Sequence, residues 1–204
     1  MEQFRGDYNK KKGMVIVEKI TYSADDALKM LVEGNQKYVA SRTASVDASE
    51  EILKTSAKGQ TPYAIVITCS DSRVIPEAIF SAGIGGIFVI RVAGNVIDSH
   101  QLGSIEYASG HLGTRLIVVL GHDHCGAVGA ALSSDPDGYV KSITDEIKKA
   151  IGSEKDELKA CCLNVKNSCS VIENALKIKP GEDNNGLKVV GAVYHLDTGV
   201  AEFL

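Results

Sequence analysis

Two apolar segments, each ending abruptly in side chains that can bind metal, constrain the fold of this chain more than any other feature. The first, residues 65–68, runs into Cys69, and the second, residues 116–121, runs into His122. Short apolar runs bounded by polar residues are typical of buried strands. Open α/β sheets place their chemistry where the chain leaves such strands. The two segments therefore predict neighbouring strands with a functional site at their carboxyl ends.

Strands and helices alternate through the middle of the chain. The predicted elements are, in order, strand 63–68, helix 75–80, strand 87–92, helix 104–112, strand 116–120 and helix 126–132. Such alternation needs right-handed crossovers and produces a mainly parallel sheet. A glycine-rich segment at 83–86 precedes a strand instead of following one, so it is interpreted as a turn and not as a phosphate-binding loop. The predicted fold class is α/β, with a mainly parallel central sheet flanked by helices.

The two ends of the chain carry further predicted elements. Ser23 followed by Asp25 and Asp26 is a helix-start signal, because a capping side chain precedes acids near the positive end of the helix dipole. We interpret residues 1–24 as an N-terminal helical arm and residues 25–204 as a single domain. The remaining predicted elements are a helix at 48–57, a helical stripe through 140, 143, 147 and 151, a strand at 187–196 and an edge strand at 200–204.

A regular apolar stripe predicts a long helix in the C-terminal half. Its members step by four, three, four, three and four residues: Leu158, Cys162, Val165, Cys169, Ile172 and Leu176. The cysteines in this stripe are interpreted as small hydrophobic residues on a packed helix face. A metal cluster of Cys161, Cys162 and Cys169 is the alternative, but adjacent cysteines on a helix point about 100° apart. Packing is therefore the favoured interpretation.

Composition and charge bear on the class of protein and its compartment. A chain of 204 residues with 44% hydrophobic content is long enough for one domain with a sizeable core. The net charge of −4 argues against a nucleic-acid partner, and no apolar run is long enough to cross a membrane. The N-terminus lacks the pattern of a signal peptide, and the five cysteines are an odd number. We therefore expect a cytoplasmic protein with reduced thiols and neither nucleic acid nor membrane as partner.

Three side chains form a candidate metal site. Cys69 follows the first apolar segment, and His122 and Cys125 follow the second. Two thiolates and one imidazole suit Zn²⁺, and three protein ligands leave one tetrahedral position open, as in catalytic zinc sites. The spacing favours His122 as the ligand beside Cys125, although His124 is the alternative ligand and otherwise a surface residue or proton carrier. Cys125 is also expected to begin a helix, whose dipole favours a thiolate. One Zn²⁺ per chain is predicted.

An acid and a base follow the first ligand at close spacing. Asp71 can accept a hydrogen bond from a water on the metal, and Arg73 can hold that carboxylate bidentately and keep it ionised. In the alternative arrangement Asp71 itself binds the metal and closes the site. Whether Asp71 contacts Arg73 or the metal therefore distinguishes an open from a closed site.

The sequence around these residues resembles the β-class carbonic anhydrases. The matching segments are 69–74 with 76–77, 88–95, 104–108, 121–127, 191–194 and 198–199. The resemblance spans roughly residues 25–204 in order. It implies reversible hydration of CO₂ to bicarbonate and a proton, with zinc-bound hydroxide as the nucleophile. It makes Cys69, His122 and Cys125 the zinc ligands, and Asp71 with Arg73 the pair that orients hydroxide.

The resemblance also implies residues that contact substrate. Gln60 matches a glutamine that hydrogen-bonds substrate, and the amide of Gly126 matches a group near the bound anion. Phe88 and Tyr107 match aromatic positions that line an apolar CO₂ pocket, with plain core packing as the alternative. In this family the walls of the site come from two subunits. A homodimer or homotetramer is therefore expected, with the arm before residue 25 wrapped around the partner.

Some members of the family close at lower pH, with bicarbonate bound beside a tryptophan. In this chain the matching position is Val66, and there is no tryptophan at all. Arg91 and Tyr194 occupy matching sites for the rest of that pocket. Because the tryptophan is missing, we expect an open site near neutral pH.

Two other functions are compatible with the same residues. One is hydrolysis of carbonyl sulfide or carbon disulfide on the same zinc site; Gln60 and the long C-terminal half favour CO₂ instead. The other is a non-catalytic, zinc-stabilised interaction protein that docks through the helix at 158–176. The intact Asp71–Arg73 pair argues against it, because a structural zinc does not need such a pair.

Overall fold

The computed structural model describes residues 22–43, 46–177 and 186–204. Five strands form one sheet: β1 (Ala64–Thr68), β2 (Ile87–Arg91), β3 (Leu116–His122), β4 (Lys188–Tyr194) and β5 (Ala201–Phe203). The strand order is β2-β1-β3-β4-β5, and every neighbouring pair is parallel except β4 and β5. The predicted α/β fold with a mainly parallel sheet is confirmed. The predicted arm falls almost wholly on residues 1–21, which lie outside the described residues.

Seven α-helices connect or flank these strands in the described parts of the chain. They are α1 (Ala24–Ser41), α2 (Glu50–Ser56), α3 (Pro76–Ile79), α4 (Ser99–Tyr107), α5 (Gly126–Ser133), α6 (Gly138–Ile151) and α7 (Glu157–Leu176). The Ser23 side chain accepts a hydrogen bond from the Asp26 amide at 3.1 Å and so caps α1, as predicted. None of these helices combines the length and apolar character needed to cross a membrane.

Both faces of the central strands are buried, because successive side chains point to opposite sides of a sheet. On one face Val66 and Val118 pack with residues of α1 and α3. On the other face Ile65 and Ile117 pack against α4 and α7, where Ile172 is fully buried. This double burial explains why β1 and β3 are continuous apolar runs in the sequence.

A third apolar cluster lies beyond the carboxyl ends of β1 and β3. It joins residues of α5, α6 and the first half of α7 to two buried cysteines, Cys69 and Cys125. Cys161 of α7 belongs to this cluster and is only 2% exposed. Helices therefore enclose the chain segments that leave the two strands.

The predicted elements are present, but the bounds of some differ from the predicted ones. The helix predicted from residue 104 begins at Ser99, because Asp98 and Gln101 form a capping box, and a π-helical turn then continues to Leu112. Strand β3 extends two residues further than predicted and ends on His122. The stripe on α7 packs as expected except at Leu158, which lies in the first turn of the helix and is 44% exposed.

A buried asparagine of α1 hydrogen-bonds to backbone groups of α3, of β5 and of the segment that precedes β5. The Asn35 amide nitrogen donates to the carbonyls of Ile79 and Gly199, at 3.1 and 2.9 Å. Its amide oxygen accepts from the backbone N–H of Ala201 at 2.9 Å. Asn35 is 6% exposed, so these three backbone groups have little access to water as a substitute partner.

We predict that Asn35→Ala lowers the free energy of unfolding by at least about 2 kcal/mol, since several buried backbone groups lose their partner at once. Urea denaturation followed by circular dichroism measures this change. Gln36→Ala, at an exposed position on the same helix, is the matched control and is expected to stay within about 0.5 kcal/mol of the wild type. Equal stability of the two variants would contradict the assigned role of Asn35.

Candidate metal centre

Three potential metal ligands meet at the carboxyl ends of the two central strands. Cys69 directly follows β1, His122 ends β3, and Cys125 is the residue that precedes α5. Strands β1 and β3 pair in parallel with Thr68 opposite Leu120, so Cys69 and His122 leave the sheet at the same end. The three ligand atoms all lie within 4.8 Å of one another. Each residue is at most 5% exposed.

The imidazole of His122 has one ring nitrogen available to bind a cation. Its Nδ1 lies 2.7 Å from the carbonyl oxygen of Asp123, and since a carbonyl only accepts, Nδ1 is the protonated nitrogen. The lone pair therefore resides on Nε2, a buried atom that has no hydrogen-bond partner among the described residues. An unpartnered buried nitrogen is costly unless a ligand satisfies it. Together with two sulfurs it fits Zn²⁺ by number and by chemistry.

The sulfur of Cys69 lies in surroundings that favour a thiolate. Backbone N–H groups of Gly94 and Asp71 donate to it at 3.3 and 3.4 Å. The pKa of the Cys69 thiol is lowered to about 4, chiefly by its interaction with the Cys125 thiol, which outweighs the effect of burial. The same interaction raises the pKa of Cys125. Zinc binds thiolates, so a divalent cation that binds both sulfurs releases the remaining thiol proton.

The Asp71 carboxylate is held by Arg73 at the edge of this cluster. Arg73 donates from Nε to Asp71 Oδ1 at 2.9 Å and from its terminal nitrogen to Oδ2 at 2.7 Å. These hydrogen bonds hold the pKa of Asp71 well below its usual range, so the carboxylate is ionised at neutral pH. Asp71 Oδ2 also lies 3.9 Å from His122 Nε2. The pairing is the one expected for an open site, with Asp71 on Arg73.

Two arginines connect the segments that carry the ligands. Arg91 donates to the carbonyl oxygens of Cys69 and Asp71, at 3.2 and 2.7 Å. Arg73 donates in addition to the carbonyl oxygen of His124 at 3.1 Å. The chain after β1 is thereby tied both to β2 and to the segment that precedes α5.

The alternative ligands named from the sequence lie elsewhere. The His124 side chain is 73% exposed, and its Nδ1 lies 3.6 Å from Glu157. Burial raises the pKa of Cys161 and of Cys169 to about 12, so both are neutral thiols. Within the described part of the chain, Cys69, His122 and Cys125 are the one group of three potential ligands that comes together. The packing interpretation of the α7 cysteines agrees with this geometry.

The residues predicted to contact substrate are not all near these ligands. Phe88 and Tyr107 contact each other with ring centroids 6.2 Å apart. Phe88 pairs with Ile65 near the start of β1, and the exposed Gln60 precedes that strand. Ile65 precedes Cys69 by four residues, which is about 13 Å of extended chain. Within one chain these three residues therefore lie towards the opposite end of β1 from the metal ligands.

Gly126 is the predicted substrate contact that does lie beside the ligands. It is exposed and begins α5 directly after Cys125. Its backbone N–H belongs to the first turn of the helix, where no intrahelical carbonyl is available to it. An anion bound next to Cys125 can accept a hydrogen bond from this N–H.

Comparison with known proteins agrees with the fold and the geometry. A sequence profile described as carbonic anhydrase matches residues 64–201. This chain belongs to the β-carbonic anhydrase family. Carbonic anhydrase 2 of Mycobacterium tuberculosis is 39% identical over 188 residues, covering 86% of this chain and 90% of the relative. The carbonic anhydrase of Mycolicibacterium smegmatis is 38% identical, with 86% and 91% covered.

Solved structures of the family share the fold. A structure of tetrameric β-carbonic anhydrases from Sordaria macrospora matches with a TM-score of 0.70 and 25% identity, covering 88% of this chain and 97% of that one. A Coccomyxa β-carbonic anhydrase in complex with acetazolamide matches with a TM-score of 0.62 and 29% identity, over 87% and 86%. Zinc is the metal of this family, and Cys69, His122 and Cys125 are its potential ligands here.

Two contacts that support the centre were not identified from the sequence, although Asp123 falls in the matching segment 121–127 and Gly94 in 88–95. The carbonyl of Asp123 orients His122, while the Asp123 side chain accepts from the Leu196 amide at 3.0 Å and lies 3.2 Å from His195 Nδ1. The amide of Gly94 contacts Cys69, although 25 residues separate them in the chain. Gly94 falls in the segment 88–95 that matches the family, which was its one available signal.

We predict that Cys125→Ser loses most of its zinc after dialysis against a chelator, because a hydroxyl is a poorer zinc ligand than a thiolate. Metal content per chain, measured by atomic absorption, tests this. Cys162→Ser is the matched control, because Cys162 packs on the core and not in the ligand cluster. Zinc loss from the control, or its retention by Cys125→Ser, would count against the assigned ligand set.

Proposed function

We propose that this protein catalyses the reversible hydration of CO₂ to bicarbonate and a proton, with one Zn²⁺ per chain held by Cys69, His122 and Cys125. The observation that carries this proposal is the ionised Asp71, paired with Arg73 and 3.9 Å from the unpartnered His122 nitrogen. A zinc that only stabilises a fold needs no such acceptor beside it. Relatives that match most of this chain are named carbonic anhydrase.

Each part of the site has a distinct task in this reaction. When bound, Zn²⁺ supplies Lewis acidity that makes water nucleophilic near neutral pH. Asp71 is an obligatory acceptor, because its ionised carboxylate has no proton to donate. It can therefore bind the attacking group only through that group's hydrogen, which turns the lone pairs of the oxygen towards CO₂. Arg73 keeps the carboxylate charged and fixes its direction.

Substrate contacts are proposed to come from two chains. Gln60, Phe88 and Tyr107 lie at the amino end of β1, away from the ligands of their own chain. Tyr107 is 47% exposed, which is consistent with a side chain that another subunit covers. We therefore propose a homodimer or homotetramer in which one chain supplies the metal and Gly126 and its partner supplies the other three residues. The related Sordaria macrospora enzymes are tetrameric.

The alternative functions find less support. Hydrolysis of carbonyl sulfide or carbon disulfide would use the same zinc, but the relatives reported above are carbonic anhydrases. A non-catalytic role through α7 leaves the Asp71–Arg73 pair without a task. All five cysteines are unpaired, which supports a reducing compartment and hence the cytoplasm as the proposed location.

Stopped-flow measurement of CO₂ hydration on zinc-loaded protein tests the activity, and Asp71→Asn tests the mechanism. We expect the variant to retain one zinc per chain and to lose about 10–100-fold in turnover, because an amide cannot replace an ionised acceptor. Arg73 holds the pKa of Asp71 below its usual range, so Asp71 stays ionised above about pH 5. The ratio of wild-type to variant turnover should therefore be constant from about pH 6 to 9.

Two results would count against this proposal. Stoichiometric zinc without any hydration up to about pH 9 would exclude carbonic anhydrase activity. Loss of zinc from Asp71→Asn would make Asp71 a metal ligand and the resting site a closed one.

Co-expression of two variants tests whether the site is shared between chains. Gln60→Ala and Asp71→Asn are each expected to be nearly inactive alone. If Gln60 serves the partner's metal, a mixed dimer contains one complete site, and the mixture recovers about a quarter of wild-type activity. Purification through two different affinity tags isolates the mixed dimer. Absence of any recovery in that dimer would place Gln60 and Asp71 in the site of the same chain. Full activity of Gln60→Ala on its own would place Gln60 outside the site.

A further inference from the structure

The turn Ala93–Asn95 supplies the amide that contacts the Cys69 sulfur. Gly94 N–H donates to Cys69 Sγ at 3.3 Å, the shorter of the two hydrogen bonds from backbone N–H groups to this sulfur. The turn has an unusual backbone, since Gly94 has a φ of 66° and Asn95 a φ of 45°. Left-handed conformations are uncommon for residues with a side chain, and they persist where the surrounding structure holds them.

Two polar side chains of α7 donate hydrogen bonds to this turn. The Asn164 amide nitrogen donates to the carbonyl of Gly94 at 2.7 Å, and the Ser168 hydroxyl donates to the carbonyl of Asn95 at 3.0 Å. Both residues are 2% exposed. They are four residues apart and therefore neighbours on one face of the helix. Consecutive carbonyls of the turn are thus fixed by consecutive turns of α7.

Packing leaves the turn little freedom to compensate for a lost hydrogen bond. A methyl group added at Gly94 would lie 2.8 Å from Ile147 Cδ1 of α6 and 3.0 Å from Ala127 Cβ of α5. The backbone of Gly94 therefore lies against α5 and α6 on one side. On the other side, Asn164 and Ser168 of α7 donate to the carbonyls of Gly94 and Asn95. Contacts with α5, α6 and α7 therefore fix the orientation of the Gly94 amide that faces Cys69.

We propose that Asn164 and Ser168 are positioning residues for the metal ligand Cys69, acting through the Gly94 amide. The inference rests on the proposed zinc site. Two thiolates already neutralise the charge of Zn²⁺, so an N–H donor that draws density from one sulfur leaves the cation more electrophilic. Correct placement of this donor depends on the two carbonyls that Asn164 and Ser168 hold. Helix α7 is therefore part of the metal centre, although it contributes no ligand.

The test compares zinc-loaded full-length variants for zinc affinity and for the electronic state of the sulfur. Competition with a chromophoric chelator is expected to show about 10–100-fold weaker zinc binding for Asn164→Ala, and a smaller loss for Ser168→Ala. Ser168→Thr keeps the hydroxyl and should restore wild-type affinity. Ile172→Val is the matched control, because Ile172 is buried one turn further along α7. It packs in the apolar cluster with Ile65 and Ile117, not in the cluster that contains Cys69 and Cys125.

Cobalt substitution separates positioning from a general loss of stability. With Co²⁺ in the site, the sulfur-to-metal charge-transfer band should move to longer wavelength in Asn164→Ala and Ser168→Ala, since a sulfur without its N–H donor gives up an electron more easily. The band should stay in place in Ser168→Thr and in Ile172→Val. If Asn164→Ala does not fold, the comparison of Ser168→Ala with Ser168→Thr decides alone.

The possible results distinguish this inference from the proposed function. Wild-type protein that binds no zinc overturns the proposed function itself. Wild-type protein that binds zinc, with alanine variants that match it in affinity and in cobalt spectrum, overturns only the role of Asn164 and Ser168. Weaker zinc binding with an unchanged band assigns them to stability alone and likewise overturns the proposal.

Discussion

The parallel pairing of β1 with β3 is the constraint on which the metal centre depends. Thr68 lies opposite Leu120, so the next residues of the two strands emerge side by side at the edge of the sheet. That register places a thiol and an imidazole together, although 53 residues of chain separate Cys69 from His122. The parallel hydrogen-bond ladder and the close packing of side chains on both faces hold this register.

Polar groups of the candidate centre surround the three potential ligands, Cys69, His122 and Cys125. Asp123 orients His122 through a backbone carbonyl, and Gly94 and Asp71 donate backbone amides to Cys69. Side chains of Arg73 and Arg91 then anchor the segment that contains Asp71. Most of these contacts use backbone atoms, so the positions of the ligands depend on loop conformation as much as on the residues that form the motif.

The sequence predicted those parts of the structure that have a local signal. Apolar runs identified β1 and β3, and the capping pattern at Ser23 identified the start of α1. The early start of α4 was missed because its signal, Asp98 with Gln101, lies ahead of the apolar residues used to find the helix. The exposure of Leu158 was missed because periodicity specifies a helix face but not how much of that face neighbouring elements cover.

The sequence by itself determined the α/β class and the candidate residues of the centre, because each follows from residue type, short-range spacing or the resemblance to one family. These candidates are Cys69, Cys125, His122 with His124 as the alternative, and Asp71 with Arg73. Only the tertiary structure decided that His122 and not His124 faces the sulfurs, and that Asp71 contacts Arg73. It also placed the Gly94 amide on the Cys69 sulfur, and Asn164 and Ser168 on the carbonyls of Gly94 and Asn95. The contacts of Gly94, Asn164 and Ser168 join residues 25 to 73 positions apart, and such proximity is created only when the helices close over the end of the sheet.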